Sequence, residues 1–237
     1  MPAKNTIKNY VPQGFYHLYN RGVEKREIFI DKQDYQVFLY YLKLYLSPKE
    51  AIIEEIKKRA DISFEKKAEK IMKIIHLNNF HQKIDLLCFT QMPNHFHLQI
   101  RQKNKQDMES FMRSLITKYV IYFNKKYQRV GYLFQGRYKA VNIEKEEYLL
   151  QLSRYIHLNA KEMLKKNQKL SSYPWSSYPA YINNLKITWL NKNYILSFFK
   201  KIQGFSFTSY QRFVEGYKWP SDTSDKEKEL CQKLLLD

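Results

Sequence analysis

The sequence predicts an α+β protein: a ferredoxin-like antiparallel sheet with helices on one face, plus an inserted helical hairpin and a C-terminal helical appendage. Three observations carry this. Apolar residues recur at strand and helix periods in the order strand, helix, strand, strand, helix, strand, helix. The two middle strands are separated by little more than Pro93 and Asn94, which only a hairpin can accommodate. Hydrophobic residues make up 44% of the 237, enough to bury a sizeable core. Helices laid on one face of an antiparallel sheet satisfy such an order most simply.

The elements follow in turn. Phe15 to Tyr19 (FYHLY) is aromatic and partly alternating, and Asn20, Arg21 and Gly22 read as the turn that closes a first strand. Asp31 can cap a helix over Lys32 to Leu46, in which Tyr35, Phe38, Leu39, Leu42 and Leu46 form one apolar face, and Ser47 and Pro48 stop it. Residues 49–80 hold two charged, helix-prone stretches, read as the inserted hairpin. Ile84 to Thr90 (IDLLCFT) and His95 to Arg101 (HFHLQIR) are the paired strands. A helix from Asp107 to about Lys126 presents Phe111, Leu115, Tyr119 and Tyr122 on one face. A strand from Tyr138 to Ile143 is followed by a helix from about Lys145 to Lys165, with Leu149, Leu152, Ile156 and Met163 as its stripe. Residues 171–182 (SSYPWSSYPAYI) are a Pro-punctuated aromatic segment. Residues 1–182 are thus read as one domain, and 183–237 as an appendage that is helical or mixed from Trp189 to Tyr217 and ends in a polar tail.

Composition narrows the partner. Lys and Arg number 41 against 23 Asp and Glu, a formal charge of +18 spread along the chain, and such a field attracts polyanions, nucleic acid first among them. The 20 Tyr often stand beside Lys or Arg, a pattern suited to stacking unpaired bases as well as to ordinary core packing. Cys88 and Cys231 are too few for a disulfide scaffold. No apolar run approaches the roughly 20 residues that span a bilayer, and the polar start lacks a signal-peptide core. The expectation is a cytoplasmic, nucleoid-associated protein with no membrane partner.

Two constellations carry candidate chemistry. His95 and His97 are separated by one residue in a predicted strand, so period two turns both imidazoles to one side, either as a two-point metal clamp or as decoration of an exposed strand. Tyr155 and Asn159 stand four apart on a predicted helix and so share a side, near the polar residues Gln151, Arg154 and His157. That spacing also fits a boundary tyrosine that packs over Leu152 with its hydroxyl in water. Residue physics leaves both pairs open.

The run MPNHFHL from Met92 to Leu98 resembles the HUH signature of single-tyrosine transposases, and specifically of the REP-associated tyrosine transposases. NRG (20–22), LFQGRYK (133–139), LSRYIHLN (152–159) and YPWSSY (173–178) resemble landmarks of that group in the same order, together covering about residues 10–182. The resemblance implies a ferredoxin-like fold, His95 and His97 as metal ligands with Asn159 as a third through its side-chain oxygen, and Tyr155 as nucleophile. It also implies a divalent metal, Mg2+ or Mn2+, and single-stranded or hairpin DNA from REP-like palindromes, cut through a 5′-phosphotyrosine intermediate. Two imidazoles by themselves suit manganese or zinc better than magnesium. The sequence departs from the group in the longer segment 49–80 and in Ala160, where a proline often follows the asparagine.

Arg21, Arg113, Lys118, Arg137 and Lys139 are candidate phosphate contacts, from their places near strand ends or on the long helix. Trp175 is a candidate base-stacking residue, with burial against Pro174 and the core as the competing reading. A noncatalytic DNA- or RNA-hairpin-binding protein on the same fold, and a metal-dependent hydrolase, are the competing functions. Monomer and homodimer are both open.

Overall fold

The structure, a computed structural model, describes residues 10–200 and 207–216. The expected polar tail lies outside the described residues. Four strands, β1 (Phe15–Arg21), β2 (Ile84–Met92), β3 (His95–Gln102) and β4 (Lys139–Ile143), form one sheet in the order β2-β3-β1-β4, with every neighbouring pair antiparallel. With α1 (Lys32–Leu46) and α4 (Asp107–Lys126) as crossovers, this is the expected ferredoxin-like α+β arrangement.

Local chemistry explains the boundaries. The Asp31 side chain accepts from the Asp34 amide at 3.1 Å and the Asp34 carboxylate accepts from the Asp31 amide at 3.3 Å, a reciprocal cap that starts α1. The segment after α1 is the expected pair of helices, α2 (Lys49–Lys57) and α3 (Phe64–His76). Ile52, Ile56 and Ile74 close with Leu44 into a small apolar cluster of their own.

Helix α5 (Glu146–Asn159) departs from expectation in length and place. It ends at Asn159 instead of near Lys165; the Asn159 side-chain Nδ2 donates to the Tyr155 carbonyl at 2.8 Å, and the chain tightens into a 3-10 turn over Ala160–Met163. Met163, expected in the apolar stripe, is exposed there. Helices α1 and α4 lie on the face that carries Tyr16, Leu18, Phe96, Leu98 and Ile100, as the Phe38–Phe96 and Phe38–Tyr119 ring contacts show. Helix α5 lies across the opposite face: Gln99 and Thr90 on that face donate to the Leu149 and Ile156 carbonyls at 2.9 and 2.7 Å. The sheet is therefore covered on both sides, beyond the single layer expected. Hydropathy finds the stripe of α5 but not the sheet face that receives it.

The remaining described helices, α6 (Tyr178–Ile182), α7 (Lys192–Lys200) and α8 (Phe207–Glu215), stand beside α5 and β2. Leu190, Ile195, Leu196, Phe199, Tyr210 and Val214 share one apolar core with the sheet. The Ser176–Ser177 segment runs along the edge of β2, where Ser177 Oγ accepts from the Phe89 amide at 2.9 Å and the Ser177 amide donates to the Phe89 carbonyl at 2.9 Å. That use accounts for the YPWSSY landmark in structural terms.

Candidate active site

Strand register builds the site from the sheet outward. In β3, His95, His97 and Gln99 point to the α5 side. Across the ladder Arg21 stands opposite His95, Tyr19 opposite His97 and His17 opposite Gln99. Thr90 completes the row on the other side of His97, and Lys139 stands beyond Tyr19 on β4. The two histidines therefore do share a face. His97 is buried at 1% exposure, whereas His95, at the open end of the strand, is only half-buried.

Three of the sequence landmarks meet at that open end. The Gly22 amide donates to the Asn94 carbonyl at 2.8 Å, the Val23 amide to Leu133 at 3.0 Å and the Gln135 amide to Arg21 at 2.8 Å, so the NRG, MPN and LFQGR segments form one rim. Gly22 is required by close approach, since a Cβ there would come within 2.1 Å of the Arg26 carbonyl oxygen. Gly136, at φ 74°, turns the LFQGR loop through a conformation that side chains disfavour.

Tyr155 on α5 meets the histidines. Its ring lies 5.5 Å from that of His97 and 6.1 Å from that of His17, edge-on to both, and the His95 and His97 rings are 5.0 Å apart with planes at 82°. Asn159 follows one turn later on the same side of the helix. His157, grouped with Tyr155 on sequence, faces elsewhere: it is buried, bonded to Tyr210 at 2.8 Å and to Ser177 at 2.8 Å. Arg154 sits over the Phe213 ring at 4.7 Å, toward α8.

The ring nitrogens are unequally engaged. His95 Nδ1 donates to the Asn94 side-chain oxygen at 2.6 Å, which in the neutral ring puts the lone pair on Nε2. His97 Nδ1 is 2.9 Å from His17 Nε2, and His97 Nε2 is buried with no protein partner. Burial pushes the His17 imidazole down to about 3, and burial, then the neighbouring His17 and His95, holds His97 well below the usual histidine range. Both are neutral at physiological pH. No group of three or more His, Cys, Asp or Glu side chains gathers for a metal among the described residues. The orphaned His97 Nε2 beside His95 nonetheless fits a cation, provided an amide, phosphate or water oxygen completes the shell.

The candidate DNA contacts divide. Arg21 and Lys139 lie on the site face, with Arg21 Nε donating to Gln135 at 2.8 Å and Lys139 Nζ 5.3 Å from the Tyr19 ring centre. Arg137 is exposed on the rim loop. Arg113 and Lys118 are on α4, beneath the opposite face. Arg113 pairs with Glu109 at 3.2 Å, and Lys118 lines a cleft against the helical hairpin with Tyr40, Arg59 and Lys70. The structure does not bring either to the histidines. Trp175 stacks on Tyr35 at 4.8 Å and packs against the core, the competing reading of that residue. His17 and Tyr19 were missed as site residues. Alternation in FYHLY separates them from Tyr16 and Leu18, but only the β1–β3 register brings them beside His97.

Comparison with known proteins agrees with the motif reading. Residues 48–159 match the model of a transposase family described as IS200-like, so the resemblance to transposases stands over that stretch. No curated protein matches the chain. Among solved structures, the chain is similar to a REP-associated tyrosine transposase bound to a REP hairpin, at 14% identity and TM-score 0.49, covering 76% of this chain and 86% of that one. It is also similar to a candidate transposase from Deinococcus radiodurans R1, at 14% identity and TM-score 0.34, covering 64% and 95%. A tRNA(His) guanylyltransferase from Saccharomyces cerevisiae matches at 12% identity and TM-score 0.32, covering 93% and 85%. No described helix is long and apolar enough to cross a membrane.

Proposed function

We propose that this chain, similar over residues 48–159 to IS200-like transposases, cuts and rejoins single-stranded or hairpin DNA by transesterification at Tyr155. One observation carries the reading: the Tyr155 ring is held edge-on to His97, beside His95, at the open end of a polar sheet face. Tyr155 Oη attacks a backbone phosphorus in line and loses its proton. The 3′ oxygen of the upstream fragment leaves and takes up a proton, and the downstream fragment remains as a 5′-phosphotyrosine. A 3′-hydroxyl attacking that linkage rejoins DNA and restores the phenol, so no nucleotide triphosphate is needed.

His95 and His97 would hold a divalent metal through their Nε2 atoms, with the Asn159 side-chain oxygen as third protein ligand. When bound, the ion supplies Lewis-acid stabilisation of charge on the nonbridging phosphate oxygens. Manganese or magnesium is the ion proposed. Arg21, Arg137 and Lys139 border the same opening and would hold the flanking phosphates.

Labelled hairpin DNA incubated with protein and Mn2+ and run on a denaturing gel tests the reaction. Wild type should give a protein–DNA adduct, and His95→Ala should give neither adduct nor nick. Free 5′-phosphate ends without adduct would mean a hydrolase instead, and binding without any cleavage a noncatalytic hairpin-binding protein.

A further inference from the structure

His17 is a buried histidine for which the proposed chemistry has no use, yet it makes the one side-chain contact that His97 Nδ1 has among the described residues, at 2.9 Å. The parallel with His95 is direct. Asn94 holds His95 Nδ1 through an oxygen that can only accept, so Nδ1 carries a proton and the neutral ring has its lone pair on Nε2. The His17–His97 pair has two arrangements, because each neutral ring has one N–H and one lone pair. Either His17 Nε2 donates, leaving a proton on His97 Nε2, or His97 Nδ1 donates, leaving the His97 Nε2 lone pair outward and the proton on His17 Nδ1. Both outer nitrogens, His97 Nε2 and His17 Nδ1, lack protein partners, so hydrogen bonding inside the protein does not choose between them. A cation at His97 Nε2 does, because only the second arrangement offers it a lone pair.

We infer that His17 is a positioning residue that accepts the His97 Nδ1 proton and thereby presents His97 Nε2 as a metal ligand, as Asn94 does for His95. The inference rests on the metal reading of the His95–His97 pair. Ring packing supports the same geometry: the His17 and His97 ring centres are 5.0 Å apart with planes at 25°, edge to edge and near-coplanar as a ring N–H···N bond requires, and Tyr155 is edge-on to both, so His17 also limits rotation of the liganding ring.

Two measurements on the full chain without DNA test it. Mn2+ affinity is read from the free-ion electron paramagnetic resonance signal for wild type, His95→Ala, His17→Leu and His17→Gln. His17→Leu should weaken binding by about 10–100-fold. His17→Gln, whose side-chain oxygen can accept from Nδ1–H, should recover at least part of that loss. Equal affinity in wild type and His17→Leu, or equal loss in Leu and Gln, overturns the inference. The second measurement is nitrogen-15 NMR of wild type with Zn2+ as a diamagnetic probe. It should find the His97 proton on Nδ1, with coupling across the hydrogen bond to His17 Nε2. A proton on His97 Nε2 overturns the inference even if the His17 variants fail to fold. Wild type and His95→Ala binding Mn2+ equally would instead sink the metal reading and the inference with it, whereas a loss in His95→Ala with none in His17→Leu overturns the inference alone.

Discussion

On one side of the sheet Tyr16, Leu18, Phe96, Leu98 and Ile100 meet α1 and α4 through apolar contact; on the other Thr90 and Gln99 donate hydrogen bonds to α5, and His17 and His97 pair with each other beneath its Tyr155 ring. Both sides are buried, and alternate residues of the same strands supply them. The first side is held by area removed from water, which tolerates any well-packed apolar shape. The second is held by groups that must each find a partner, because a buried polar atom left without one costs free energy. Among the described residues of this face, that partnering is incomplete at His97 Nε2 and His17 Nδ1, within the candidate active site, and at Arg101 Nε farther along β3.

The largest expected effect separates chemistry from fold. Tyr155→Phe should lower covalent capture of DNA by roughly a thousandfold or more, as loss of a nucleophile does, with melting temperature and hairpin affinity nearly unchanged in calorimetry and a binding titration. Phe96→Ala, on the apolar side, should do the reverse. It should cost about 3–5 kcal/mol of stability in urea unfolding, while folded molecules still bind Mn2+.

The polar side should also make stability depend on pH. Burial holds His17 and His157 at about 3, whereas free histidine titrates near 6.5. Between those values the unfolded chain binds protons that the folded chain does not, so stability is full above about pH 6.5 and falls as the pH drops. Each imidazole should cost about 2 kcal/mol at pH 5 relative to neutrality, read as a falling melting temperature in chelator-treated protein. A flat profile between pH 7 and 5 would mean that neither ring stays neutral when folded.

Gln99→Leu removes the bond to the Leu149 carbonyl and the one from Cys88, at 2.9 and 3.0 Å, and should cost about 1 kcal/mol. The smallest effects test the division of charges. Arg21→Gln and Lys139→Gln should each lower the salt slope of single-strand binding by about 0.7. Arg113→Gln and Lys118→Gln, on the far side, should leave it unchanged.

How much of this was legible in the sequence differs between the two sides. The helix Asp107–Lys126 and the capped helix after Asp31 follow from three-and-four spacing and cap chemistry, and both have the expected limits. His95 and His97 share a face because strand period is two, whatever the fold. Tyr155 and Asn159 share a helix side for the same kind of local reason. What local patterns could not supply was register. His17 lies beside His97 only because Leu18 pairs with Leu98, a contact 80 residues distant in sequence. The place of α5 was hidden likewise, since a helix carbonyl received by Gln99 or Thr90 leaves no trace in hydropathy. The separation of Arg113 and Lys118 from the site follows from which face α4 covers, which is again a tertiary fact.

The most direct test is peptide mapping by mass spectrometry of the adduct trapped after Mn2+-dependent reaction with a short hairpin. The account predicts a 5′-linked nucleotide on the peptide that contains Tyr155 and on none of the other tyrosines among the 20 in the chain. A nucleotide found on a different tyrosine, or cleaved DNA with no protein-bound nucleotide, would contradict it.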